Sequence, residues 1–202
     1  MSHFRFHALL WGGACAALLS MTVPASAQRS PKTKPSRESI LTSARTMMAA
    51  QPYCALVTVD KSGGASIRTM NPFPPDADMA VYFATDDRSQ KVLEIQKDPR
   101  VTLYYANHQK AEGFVALRGK ATLVTDPAEI QKRKRAYWDQ AFPGFKHLLL
   151  IKIVPVTLEI ICYKDGLVAD PQTSRPPTVE FESPQPDPDR RAADLLNVQG
   201  AK

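Results

Sequence analysis

The sequence predicts a mainly β domain in which six to seven antiparallel strands close into a barrel flanked by helices. Three observations lead there. Short runs rich in β-branched and aromatic residues recur from Tyr53 to Tyr163, separated by turn signals. One of those turns, Asp60-Lys61-Ser62-Gly63-Gly64, has the composition of a hairpin, which makes its neighbours antiparallel. Before Asp170, helical periodicity is confined to three stretches, beginning at Ser36, near Arg88 and at Asp126. A sheet built this way removes its exposed edges by closing on itself.

The chain has 202 residues and a formal charge of +6, enough for one domain with a sizeable core. Its start reads as a leader. Arg5, with His3 and His7, precedes an apolar run from Ala8 to Met21, and Ala25-Ser26-Ala27 forms an A-x-A cleavage signal. That run falls short of the ~20 residues a membrane span requires. The expected organisation is a signal peptide over residues 1–27, a flexible lead-in over 28–35, the folded domain over 36–169, and a Pro-rich acidic tail over 170–202. The chain is therefore expected outside the cytoplasm, secreted or periplasmic, without a stable membrane anchor. The positive charge lies in the domain and suits phosphorylated ligands; nucleic acid is a poor partner for an exported protein.

Taken in order, Ser36 caps a helix whose apolar positions Ile40, Leu41, Ala44, Met47 and Met48 share a face, and Pro52 ends it. Tyr53–Asp60 and Ala65–Met70 form the hairpin, and the second strand delivers Arg68. Asn71–Asp78 holds three prolines and no periodicity, so it is a restricted loop. The alternation Met79, Val81, Phe83 marks a strand ending at Ala84 and Thr85, followed by a short helix from about Arg88 that Asp98-Pro99 stops. Val101–Ala106 and Phe114–Val124 continue an antiparallel meander. Asp126 caps a helix expected to reach about Gln140. Its run Lys132–Arg135 reads as a solvated surface with Tyr137 or Trp138 packed inward, with an anion-binding face as the alternative. His147–Val154 and Val156–Tyr163 are strands, with Pro155 breaking or bulging between them. From Asp170 the prolines and acids are too dense for a packed core, and a terminal helix over Arg190–Val198 is the last element expected. Cys54 and Cys162 fall in strands, where they either pair in an oxidising compartment or stay buried as small apolar residues.

The candidate site comes from the stretch Arg68–Lys91. Thr85 at a strand end, Ser89 in the first helical turn and Lys91 two residues later converge on one small volume. Free N–H groups and the positive end of the helix dipole favour a phosphate there. Arg68, from the neighbouring strand, is placed to add a bidentate clamp. The two histidines after the leader, His108 and His147, stand in neither a metal-ligand nor a triad spacing.

Four segments in order, CALVTVDKSGGASIRTM, VYFATDDRSQKVLEIQKDPRVTLYY, FVALRGKATLVTD and WDQAFPG, resemble the pyridoxamine 5'-phosphate oxidase-like flavoproteins, in particular the branch of general stress protein 26. The resemblance runs from about Met47 to about Gly166. It implies the antiparallel split β-barrel that binds FMN, used as a homodimer with the flavin at the subunit interface. It also implies that Arg68, Thr85, Ser89 and Lys91 hold the FMN phosphate, and that Thr69, Met70 and Asn71 approach the ring. Ala84 beside Thr85, and Gln90 between Ser89 and Lys91, complete the cofactor-binding candidates. The chain departs from the true oxidase at Phe73, where a Lys stands, at Gln90, where a basic residue stands, and at Phe114, where a Gln stands. The oxidase's late Trp and Arg have no match around Glu159–Cys162. Pyridoxamine phosphate oxidation is therefore not expected. With no positioned acid or base in the sequence, the chemistry would reside in the cofactor, FMN or, as alternatives, FAD or a deazaflavin. Two functions follow from the resemblance: a flavin-dependent oxidoreductase acting on an unidentified small molecule, or a non-catalytic binder of flavin, haem or another tetrapyrrole.

Overall fold

The computed structural model describes residues 34–182. Helix α1, Arg37–Ala49, starts where Ser36 accepts a hydrogen bond from the Ser39 amide at 3.1 Å, and turns Ile40, Ser43, Ala44 and Met48 inward. Strands β1 (Cys54–Val59) and β2 (Ala65–Met70) follow. Their turn is tied by Asp60, whose Oδ1 accepts from the amides of Ser62 at 2.7 Å and Gly64 at 2.9 Å, while Gly63 takes φ +87°. β3 is Val81–Asp86, α2 Gln90–Lys97, β4 Arg100–Ala106 and β5 Gly113–Val124. Then come α3 (Pro127–Lys132), α4 (Trp138–Ala141), a 3-10 turn (Pro143–Phe145), β6 (Leu148–Cys162) and β7 (Thr178–Glu180).

All strand pairs are antiparallel, and the sheet order is β2-β1-β4-β5-β6-β3, with β7 also on β6. This is the mainly β fold with flanking helices that the sequence predicts. The simple meander is corrected: β3 does not follow β2 in the sheet but crosses to pair with the first half of β6, Val81 opposite Ile153 and Asp86 opposite Leu148. The 71–80 segment makes that crossing. The sheet's inner face is fully buried at Leu56, Phe83, Leu103, Leu117, Ile151, Ile153, Leu158 and Ile160. A second cluster packs on the other face of β3 and β6, where Tyr82, Leu148 and Leu150 surround a completely buried Trp138.

Pro155 neither ends β6 nor splits it. The register shifts between Arg118 and Gly119, so that Arg118 faces Thr157 while Gly119 faces Pro155, and the extra residue forms a bulge around the missing N–H. Gly119 is needed at that point, because a Cβ there would run into the Val154 carbonyl oxygen.

Two further expectations are corrected. The single helix over Asp126–Gln140 is two short ones, because Arg133 and Arg135 in the break turn inward to bind the proline loop. The domain also does not end at Ala169. Asp170 binds the amides of Gln172 and Thr173, returning the chain to β6, where β7 pairs with Thr157–Glu159, Val179 is 3% exposed and Arg37 donates to the Glu180 carbonyl at 2.6 Å. Cys54 and Cys162 are both buried and unpaired. The leader, the lead-in up to residue 33, and the terminal helix expected over Arg190–Val198 lie outside the described residues. Among the described residues no helix is long and apolar enough to cross a membrane.

Candidate functional site

β3 ends against the start of β6, which buries Thr85 and leaves the chain to turn sharply into α2. Ser89 is the N-cap of that helix, yet its hydroxyl makes no capping bond. It lies 3.3 Å from the Thr85 hydroxyl instead. One residue inside the helix, Lys91 reaches back and donates to Thr85 Oγ1 at 2.9 Å. Two hydroxyls and an ammonium are thus joined at a helix start, where backbone N–H groups and the dipole add positive potential. The Lys91 ammonium is held below its usual range, first by burial and then by the charge of Arg68, against the pull of Asp86 and Glu94.

Arg68 points from the inward face of β2, which alternates exposed and half-buried. Its two Nη atoms are already engaged. Nη1 donates to Thr58 Oγ1 at 2.7 Å; Nη2 donates to Glu94 Oε2 at 2.8 Å and to Ser66 Oγ. Glu94 is 4% exposed on α2, one turn beyond Lys91, and also accepts from Thr58 Oγ1 at 2.5 Å. Burial pushes its carboxyl up, but the Thr58 hydroxyl and the Arg68 guanidinium outweigh it and hold the group below the usual range. Sequence reasoning missed Glu94, Thr58 and Ser66. The spacing Lys91-x-x-Glu94 was the available signal, since it places both on one helix face.

The other candidates are distributed around this cluster. Ala84 faces the Trp138 side of β3, opposite to Thr85. Thr69 and Gln90 are exposed, and Met70 is half-buried against the core. Asn71 starts the proline loop, with Nδ2 on the Pro52 carbonyl at 3.1 Å and Oδ1 accepting from Arg135.

Three guanidiniums fix that loop. Arg45 donates to the carbonyls of Pro75, Asp76 and Ala77. Arg133 pairs with Asp76 at 2.9 Å and stacks on Tyr82, with its guanidinium carbon 3.6 Å from the ring centroid. Arg135 donates to the Pro72 carbonyl at 2.7 Å and covers the Phe73 ring at 3.9 Å. The reading of Lys132–Arg135 as solvated surface is therefore corrected for Arg133 and Arg135, while Lys132 and Lys134 are exposed. Trp138, not Tyr137, is the residue packed inward. Between the loop and the end of α1 lies a groove of about 290 Å³, lined by Met48, Pro52, Asn71, Phe73, Tyr105 and Arg135 among others. A wider, open hollow of about 530 Å³ runs along α1 from Ser36 to Asp165 and shares no residue with the cation cluster.

Other reactive groups are quiet. Burial pushes the Cys54 thiol up to about 12, with Tyr105 opposing, and raises that of Cys162 as well. His147 Nδ1 lies 3.0 Å from Asp87, and His108 stacks beside Tyr104 in the β4–β5 turn. Among the described residues no group of His, Cys, Asp and Glu has metal-binding geometry.

Comparison with known proteins bears on the family and the fold. The family profile described as "Pyridoxamine 5'-phosphate oxidase like" matches residues 42–159. General Stress Protein 26 from Bacillus anthracis is similar in structure, with TM-score 0.52 and 24% identity over 60% of this chain and 93% of that one. A pyridoxamine 5'-phosphate oxidase-related, FMN-binding protein from Nostoc punctiforme has TM-score 0.51 and 18% identity, over 74% of this chain and 98% of that one. A heme-binding protein from Mycobacterium smegmatis has TM-score 0.51 and 14% identity, over 68% of this chain and 56% of that one. Among curated proteins none matches.

Proposed function

Because the chain belongs to the pyridoxamine 5'-phosphate oxidase-like family, we propose that it is an exported flavoprotein that holds FMN by its phosphate and serves as an oxidoreductase other than a pyridoxamine phosphate oxidase. The observation that carries this reading is the run Lys91–Thr85–Ser89, hydrogen-bonded at a helix start with the Arg68 charge close enough to disfavour the lysine's own. Asp86 is paired with Arg88, so Arg68 and Lys91 are balanced by Glu94 alone, and the excess of positive charge is one that a phosphate of about −1.5 to −2 charges relieves. The donor set therefore fits the phosphate. Charge-assisted hydrogen bonds of ~1.5–3 kcal/mol each from Arg68 and Lys91 supply a good share of the ~8 kcal/mol of micromolar binding.

A bound flavin supplies hydride and electron transfer. The chain's part is to bind, orient and shape. Thr85 and Ser89 would orient the phosphate, and Thr69, Met70 and Asn71, where β2 runs into the proline loop, would approach the ring. The clamped proline loop borders a groove open to a small-molecule substrate. Phe73 stands where the true oxidase has a Lys; its ring is edge-on to Trp138, and the cation beside it is the Arg135 guanidinium from another element, an altered arrangement that supports a different substrate. The outer faces of β2, β1 and β4 carry Ile67, Val57 and Tyr104, with Ile67 67% exposed; this supports a homodimer. Arg5, the Ala8–Met21 run and Ala25-Ser26-Ala27 support export with cleavage near Ala27.

The fold shared with the M. smegmatis protein supports the second reading, a non-catalytic binder of haem or another tetrapyrrole. Absorbance of the purified mature protein separates the two: a flavin spectrum supports the first, a Soret band the second. Replacing Arg68→Ala together with Lys91→Ala is expected to weaken FMN binding at least ~100-fold, from two charge-assisted bonds, read under conditions where circular dichroism shows the variant folded, because losing Arg68 leaves Glu94 buried without its cation. Full retention of FMN by that double variant removes the phosphate assignment.

A further inference from the structure

We infer that Glu94 is a positioning residue for the phosphate site, holding Arg68 in its binding orientation before any ligand arrives; the inference rests on the phosphate reading above. Arg68 stands on β2, a strand at the end of the sheet path with a neighbour on one side only. A long side chain on such a strand would sample many rotamers and lose them on binding. Here it does not. Glu94 Oε2 takes one N–H of Nη2 at 2.8 Å, Ser66 takes the other, and Thr58 takes one of Nη1 at 2.7 Å. Thr58 closes the ring by donating to the same Glu94 oxygen at 2.5 Å. Three of the five guanidinium N–H groups are thereby spent on the protein, and the Nε–H and one Nη1–H are left over.

Glu94 itself is locked. It is 4% exposed on a helix that also carries Lys91 one turn earlier, so the same short element sets both cations of the site. A buried carboxylate costs solvation that its partners must offset, and it repels an anion bound next to Lys91. On charge alone it should be detrimental to a phosphate site. Its presence is explained if orienting Arg68 outweighs that repulsion, and this opposition of signs makes the role testable.

FMN and riboflavin, which share the ring and differ in the phosphate, are titrated into wild type, Glu94→Gln and Glu94→Asp by flavin fluorescence. Positioning predicts that Glu94→Gln binds FMN about tenfold more weakly, the scale of one rotamer-rich side chain left to be immobilised, while riboflavin affinity stays within twofold. If Glu94 acts only through its charge, Glu94→Gln binds FMN more tightly. That outcome, or unchanged FMN affinity, overturns the inference. Glu94→Asp keeps the charge and shortens the reach, so it covers the case in which the Gln variant does not fold. It is expected to lose about tenfold for FMN alone, and an Asp variant equal to wild type overturns the inference equally. A wild type that does not distinguish FMN from riboflavin instead removes the underlying phosphate reading, whatever the variants do.

Discussion

At the scale of single residues, the charges in the cluster set its pH response. Lys91 is held below 10.5 by burial and by Arg68, so it sheds its proton before an ordinary lysine as pH rises. FMN affinity is expected to hold at neutral pH and fall on the alkaline side earlier than pH 10.5, and Lys91→Gln should abolish that limb; titrations across pH 7–10 check this. Glu94 has the opposite sign. Its folded-state pKa lies below its unfolded value of 4.5, so its contribution to stability is present above that value and is lost as pH falls through the folded one. Urea midpoints of wild type should therefore drop more steeply below pH 4.5 than those of Glu94→Gln. The cluster was partly legible. Thr85, Ser89 and Lys91 are close in sequence, so strand-end and helix-start geometry brings them together. Thr58 and Ser66 were not, and Glu94 only through its spacing from Lys91, because their meeting depends on how α2 packs on β1, which no local pattern encodes.

At the scale of elements, the proline loop shows how non-local contacts decide the status of a charge. Lys132, Arg133, Lys134 and Arg135 look equivalent in the chain, yet Arg133 is paired with Asp76 and stacked on Tyr82 while Lys132 is largely solvated. Arg133→Ala is expected to destabilise by about 1–3 kcal/mol, from a charged hydrogen bond and the stack, and Lys132→Ala by less than ~0.5 kcal/mol. Equal effects on the urea midpoint would contradict the clamp. β7 was hidden for a related reason. Thr178-Val179-Glu180 sits among prolines and acids, and three residues carry too little periodicity to show as a strand; pairing with β6 forms it. Val179→Ala should cost about 1.5 kcal/mol, two buried carbons at ~0.8 each. In contrast, the Asp60–Gly64 turn and the start of α1 at Ser36 follow from side-chain-to-backbone bonds made within a few residues, and both could be read directly.

At the scale of the molecule, the strand order turns a local motif into a site. If β3 paired with β2 in a meander, the sheet would be continuous where Arg68 and Thr85 now stand apart. The crossing to β6 instead leaves β2 and β3 as the two ends of the sheet path, with α2 bringing Lys91 and Glu94 to both. The proposed FMN phosphate site rests on this placement: α2 carries Lys91 to Thr85 at the end of β3 and Glu94 to Arg68 on β2. The most direct test is the ratio of the affinities of the purified wild-type protein for FMN and for riboflavin at pH 7. The expected result is FMN at least ~100-fold tighter, the contribution of two charge-assisted bonds; equal affinities, or no binding of either, would contradict it.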